Sequence, residues 1–310
     1  MFRGIVWIPP ETRIPFIRLR MLFFAISGLL VGASILFLVL RGLSYGIDFT
    51  GGILIEAKFS AAADIAATRA KVDSLNLGST EIQGFGGPND VLIRLPRQEG
   101  DEKAQGRAVE KVKDALGSGV EYRRVETVGP KVGAELLRES IVAVILALGG
   151  IMVYMWFRFE WKWGAAGIIA LLHDVISTIG IFSLTGMEFN LSTVAAVLTI
   201  AGYSINDTVV ILDRVRENLR KYKSMALPEL FDLSINETLS RTINTAGTVF
   251  LTVVALYAFG GSVIQDFSFA LLWGVVVGTY SSVCVALPML LYMNINRGAH
   301  DPIDKSAAAP

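Results

Sequence analysis

Residues 190–218 read NLSTVAAVLTIAGYSINDTVVILDRVREN. The first part is apolar and long enough to enter a bilayer as a helix. Asn206, Asp207 and Thr208 nevertheless stand before the apolar run ends. Asp213, Arg214, Arg216 and Glu217 follow where a cytoplasmic surface would lie. A carboxylate within hydrocarbon is costly and needs a protein-lined, wetted setting. Asp207 is therefore the leading candidate for a residue that handles protons, and the rest of the chain is read as its surroundings.

Composition supports a membrane setting. The 310 residues are 53% hydrophobic and only 18% charged, with a mean hydropathy of +0.53. Several apolar blocks exceed the roughly 18 residues that mark a candidate span. Lys and Arg number 28, balanced by 28 Asp and Glu. The basic residues cluster beside the apolar blocks and form no stripe, so a nucleic-acid surface is not expected. The single cysteine, Cys284, excludes an intrachain disulfide framework and reads as a small packing residue. The first apolar block lacks a small-residue cleavage site and reads as a retained anchor.

From these blocks the chain reads as an α-helical polytopic membrane protein. Six transmembrane helices are expected, with a small ferredoxin-like α+β periplasmic domain between the first and second. A cytoplasmic segment, 1–20, carries Arg13, Arg18 and Arg20 ahead of span one at 21–40, which places the N-terminus inside by the excess of basic residues. Residues 42–135 form the exported domain. The turn-rich run Gly46-Ile47-Asp48-Phe49-Thr50-Gly51-Gly52 leads into a strand at 53–59, a helix at 61–75, strands at 80–85 and 91–95 about a turn at 86–90, a helix at 103–116 and a strand at 120–128. That order is βαββαβ. Spans two to four fall at 137–157, 164–184 and 191–212. A cytoplasmic loop, 213–241, holds an amphipathic segment at 228–239. Spans five and six fall at 243–260 and 267–292, with Pro288 bending the last, and the tail 293–310 lies inside and is expected to be disordered.

Other polar residues within the spans need an explanation. Arg241 starts span five at the inner level of Asp207, which is itself roughly 9 Å into the hydrocarbon. By depth an ion pair is possible, either as a protonation switch or as a fixed structural pair. Asn206 and Asp213 share a helical face continued by Thr199, which would line a water path or bond to neighbouring helices. His173-Asp174 falls mid-span three, where both side chains can titrate; proton relay and a mutually satisfied packing pair are both open. Glu139 reads as a solvated boundary charge, with proton access as the sharper alternative. Gly274, Gly278 and Ser282 repeat at four-residue spacing and permit close helix approach. No metal site is expected, because the second histidine, His300, lies in the tail. Gly84-x-Gly86-Gly87 precedes a strand and lacks the phosphate-loop lysine, so no nucleotide or other cofactor is expected, and protons are the expected coupling ion.

Several motifs, in order, make the chain resemble the SecD/SecF family of protein-export membrane proteins over about residues 20–295. They are the Gly46–Gly52 run, Leu171-Leu172-His173-Asp174, Gly202–Val210 with Asp213–Asn218, and Ser234–Thr242. The resemblance implies the SecF-type half of an RND-type transporter pair in the bacterial inner membrane, with both termini cytoplasmic. It implies SecD as the direct partner, the SecYEG channel and the SecA motor as the machinery assisted, and YajC and YidC as further candidate partners. The implied work is the coupling of proton flow to late movement of unfolded preproteins, with no enzymatic activity. It also implies that Asp207 and Arg241 match the family's functional carboxylate and arginine, and that Gly46, Asp48, Phe49, Gly51 and Gly52 are its signature. Two alternatives remain: a small-molecule or lipid exporter of the RND type, and a scaffold that transports nothing.

Overall fold

The computed structural model describes residues 9, 12–85, 87–98, 102–261, 264–293 and 295. Half of the expected N-terminal segment, Gly86 of the expected turn, Ser262, and the tail apart from Met293 and Ile295, including Arg297, His300 and Lys305, lie outside the described residues.

Among the described residues six helices are long and apolar enough to cross a membrane, and the protein is a multi-pass membrane protein. They are α1 (Arg20–Arg41, extended by a 3-10 turn, Ile17–Leu19), α5 (Pro130–Arg158), α6 (Trp161–Thr185), α7 (Leu191–Lys221), α8 (Leu227–Phe259) and a last span. The last span consists of α9 (Gln265–Ser281), a π-helical turn (Ser282–Ala286) and α10 (Leu287–Tyr292). The central three, α6, α7 and α9, are largely buried, whereas α1, α5 and α8 flank them. Local sequence explains the ends. Asn190 caps α7 by accepting from Thr193 N at 3.0 Å. Gly186, at φ 72°, closes α6 in the left-handed region.

Between α1 and α5 lies the α/β domain: β1 (Ser44–Tyr45), α2 (Ile47–Thr50), β2 (Gly52–Phe59), α3 (Ile65–Asp73), β3 (Glu81–Phe85), β4 (Gly87–Leu95), α4 (Glu102–Leu116) and β5 (Val120–Val128). The four-stranded sheet runs β3-β4-β2-β5, all antiparallel, as a βαββαβ ferredoxin-like unit requires. Ile53 faces Leu95 and Ile55 faces Ile93 across β2 and β4. These side chains pack with Val72 of α3 and with Ala108, Val109 and Val112 of α4. A further two-residue strand, β6 (Glu188–Phe189), pairs in parallel with β1 and so joins the domain to the α6–α7 connection.

Several expected boundaries are corrected. The helix expected over 61–75 covers only Ile65–Asp73, because Asp64 caps it by accepting from Ala67 N. The turn expected at 86–90 is tighter, with β4 already paired at Gly87. The helix that holds span two, α5, begins at Pro130, seven residues before the expected 137. The largest correction concerns 213–241, which is not a loop with a separate amphipathic segment. α7 runs on to Lys221, and α8 starts at Leu227 and continues unbroken through its span. Charged helix formers carry both helices past the apolar stretch, and Leu212, Val215 and Leu219 pack against Leu230, Phe231 and Ile235. The irregularity near Pro288 is the π turn just before it.

α7 and α9 pack closely because α9 presents no side chain at two positions. A Cβ at Gly274 would lie 2.2 Å from Ile200 Cγ1, and one at Gly278 would lie 3.2 Å from Ser204 Cβ. Gly274→Ala should therefore destabilise the bundle by roughly 1–3 kcal/mol through overpacking, seen as a lower thermal midpoint in detergent. Gly28→Ala, with nothing within 4 Å of the new atom, should leave that midpoint unchanged.

Candidate functional site

Asp207 sits near the middle of α7 and is half-buried. Oδ1 accepts from Thr242 Oγ1 on α8 at 2.6 Å, and Oδ2 accepts from Ser282 Oγ at the start of the π turn at 2.8 Å. Arg241 does not pair with it. Adjacent residues on a helix diverge by about 100°, so Thr242 points inward to Asp207 while Arg241 is exposed. Arg241 instead lines a 360 Å³ cleft with Asp213, Arg214, Glu217 and Glu237. The ion pair allowed by depth is thus replaced by two hydroxyls. Both residues lie mid-helix, since α7 and α8 extend beyond the expected inner boundary.

A second carboxylate lies deeper. Asp174 on α6 is 0% exposed and His173 5%. His173 Nδ1 lies 3.0 Å from Asp174 Oδ1. Asp174 Oδ2 accepts from Ser204 Oγ on α7 at 2.5 Å and from Ser281 Oγ on α9 at 2.7 Å. Burying a carboxylate costs several kcal/mol, while each hydroxyl bond to a charged group returns roughly 1.5–3 kcal/mol. The hydroxyls therefore offset much of that cost. His173 Nε2 has no hydrogen-bond partner among the described residues. The His173 ring lies 6.1 Å from that of Tyr280, whose hydroxyl meets Ser27 Oγ and donates to Phe23 O on α1.

The other sequence candidates separate. Thr208 is buried against Gly167, its Oγ1 without a partner among the described residues. Asn206 is exposed on the face that carries Thr199 and Gly202. Asp213 forms an ion pair with Arg158 of α5. Glu139 is exposed on α5. Ser282, singled out for packing, is also a hydrogen-bond donor to Asp207. Sequence reading missed Ser204, Thr242, Tyr280 and Ser281. The useful signal was present in Ser204 and Asp207, which stand three apart on one helix face, and in the consecutive pair Ser281-Ser282. Among the described residues, no three His, Cys, Asp or Glu side chains converge as metal ligands would.

The Gly46–Gly52 run fastens the α/β domain to the same helix. Gly46 N donates to Phe189 O at 3.0 Å. Asp48 Oδ2 accepts from Leu191 N, the first amide of α7, at 2.9 Å, where a negative charge also complements the helix dipole. Phe49 packs near Tyr45 and Phe189. Gly51 and Gly52 turn the chain into β2 at φ 72° and 121°, and a Cβ at Gly52 would lie 2.6 Å from Leu95 O. Arg94 of β4 reaches Glu188 of β6 at 2.6 Å.

Residues 108–296 match the profile of the C-terminal part of the protein export membrane protein SecD/SecF family, and residues 36–63 match the SecD/SecF GG motif. The chain belongs to the SecD/SecF family. A protein translocase subunit SecF from Cereibacter sphaeroides is 44% identical over 299 residues, covering 94% of this chain and 92% of that one. A protein translocase subunit SecDF from Brucella abortus is 41% identical over 310 residues, covering 99% of this chain and 41% of that one. The crystal structure of SecDF, a translocon-associated membrane protein from Thermus thermophilus, superposes with a TM-score of 0.85 at 35% identity, over 94% of this chain and 40% of that chain. The chain thus spans about two fifths of the SecDF proteins it resembles and nearly all of the SecF relative. In SecD/SecF terms, the GG motif supplies Asp48 to the first amide of the helix that carries Asp207.

Asp48→Ala removes one bond to the first amide of α7. The expected cost is about 1 kcal/mol, read as roughly fivefold faster hydrogen exchange at residues 191–194, with exchange in the middle of α7 unchanged.

Proposed function

We propose that the chain is the SecF-type half of a SecD/SecF pair within the protein translocase, and that proton movement through Asp207 drives late export of preproteins across the bacterial inner membrane. The observation that carries this reading is the setting of Asp207. It is a half-buried carboxylate within a span-length helix, held among the described residues by neutral hydroxyls, one of them from Thr242, whose neighbour Arg241 lines a charged cleft. A fixed ion pair would hold the acid charged. Hydroxyls accept either state, because they donate to a carboxylate and accept from a carboxylic acid.

Pairing with SecD is supported by the exposed face of α7. Ala195, Thr199, Gly202 and Asn206 line it at helical spacing. Thr199 satisfies its own hydroxyl by bonding back to Ala195 O at 2.8 Å, but the amide of Asn206 has no partner among the described residues. An amide within a span needs a protein or water partner, and small neighbours allow one to approach. The relatives in which a chain of this length is about two fifths of a SecDF protein are consistent with a second half at that face.

In this reading both termini and the α7–α8 turn face the cytoplasm, and the α/β domain faces the periplasm, where it meets emerging polypeptide. SecYEG and SecA are the machinery assisted, with YajC and YidC as further partners. The chain contributes no enzymatic chemistry. An unfolded substrate, in place of a small molecule, suits an exported domain of a single βαββαβ unit.

Asp207→Asn should leave SecD copurification intact while abolishing stimulation of export by a proton gradient in proteoliposomes carrying the translocase. Retained gradient-dependent export would refute the role of Asp207, and intact gradient-independent export in the unaltered protein would favour the scaffold. Arg241→Ala should reduce gradient-driven export at normal complex abundance. A cysteine replacing Gly202 or Asn206, after Cys284→Ala, should crosslink to SecD; uniform failure along that face would place the partner elsewhere.

A further inference from the structure

The two carboxylates are joined by one element. Ser281 donates to Asp174 and the next residue, Ser282, donates to Asp207. On the other side, Ser204 donates to Asp174 one helical turn from Asp207 on α7. The result is a closed circuit through α6, α7 and the last span. It forms where α9 gives way to the π turn that begins at Ser282, and such turns concentrate at functional positions in helices.

Each serine has two acceptors for its single proton. Ser281 Oγ lies 2.7 Å from Asp174 Oδ2 and 3.2 Å from Gly278 O, three residues earlier. Ser282 Oγ lies 2.8 Å from Asp207 Oδ2 and 3.0 Å from Thr279 O. A charged carboxylate wins this competition, because bonds to ionised acceptors are about twice as strong as neutral ones. A protonated carboxyl does not, and the hydroxyl then turns to the backbone. Both serines therefore act as two-position rotors, on adjacent residues, each reporting the charge of a different acid.

We propose that Ser281 and Ser282 are positioning residues that couple Asp207 to the His173–Asp174 pair, so that a change of charge at Asp207 alters the hydrogen bonding of His173. This rests on the reading of Asp207 as a proton carrier. The other titratable groups around the circuit are Tyr203 on α7, Tyr280 on α9 and Cys284 in the π turn, with Arg241 of α8 next to Thr242.

The chain holds two histidines, His173 and His300, which makes the test direct. Full-length chain carrying His300→Asn, labelled with 15N-histidine and placed in lipid nanodiscs, gives the imidazole nitrogens of His173 alone. At fixed pH, Asp207→Asn should move these resonances, and the movement should be lost when Ser281→Ala and Ser282→Ala are also present. Ser282→Ala alone leaves every contact of Asp174 in place and should also abolish most of it, which keeps the test usable if the double variant does not fold. Retention of more than half of the movement in either background, or no movement with Asp207→Asn, overturns the proposal. Gradient-driven export of Asp207→Asn is scored separately. Loss of gradient dependence with an unmoved His173 spectrum refutes the serine link alone, whereas retained dependence refutes the proton-carrier reading.

Discussion

Two acids among apolar helices, one buried and one half-buried, each held by uncharged hydroxyl donors, set the terms for the rest of the bundle. Such donors must come within hydrogen-bond distance from other helices, which forces close packing. Gly274 and Gly278 supply it by removing side chains where α9 crosses Ile200 and Ser204. The approach brings Ser281 to Asp174 of α6 and Ser282 to Asp207 of α7. Small residues, serines and carboxylates are therefore parts of one arrangement. A bulkier α9 would leave both acids short of partners, and a buried acid without partners costs far more than any single packing contact returns.

The α/β domain meets this arrangement at the start of α7 and not at its centre. The family signature forms a short helix and a double-glycine turn whose contacts converge on Phe189 and Leu191, while Arg94 of β4 reaches Glu188 beside them. A rigid helix transmits displacement along its axis, so the domain and Asp207 share a mechanical element of about 16 residues, roughly 24 Å at 1.5 Å per residue. The hydrophobic core of the domain itself is separate, packed between one sheet face and two helices. Nothing about that core depends on the membrane helices, so the signature is the place where two independently packed units become one.

Much of this was legible in the amino-acid order. Six apolar blocks and the βαββαβ alternation follow from hydrophobic periodicity, and Asp207 and His173-Asp174 stand out because charge in an apolar run demands a reason. What the order hides is equally instructive. Serine and threonine are ordinary in membrane helices because they can bond to their own backbone, so Ser204, Thr242 and Ser281 carry no visible mark until their neighbours are known. Arg241 and Thr242 could not be told apart by depth, since only helix rotation decides which faces the acid. The stretch 213–241 looked like a loop because basic residues recur through it beside the apolar spans. Yet Leu212, Val215 and Leu219 keep helical spacing, and a helix outside the bilayer needs only one apolar face.

The amide of Asn236 on α8 grips the backbone of Ile14 at both ends, accepting from its N–H at 2.9 Å and donating to its carbonyl at 3.0 Å, while Asp232 accepts from Ile17 N at 2.8 Å. These contacts bridge more than two hundred residues of sequence. During synthesis these anchors of residues 14–17 can form only once α8 has been made. The first span is free to dock earlier on α6, where Arg41 donates to Leu184 O at 2.9 Å, so its cytoplasmic lead is fixed after the span itself.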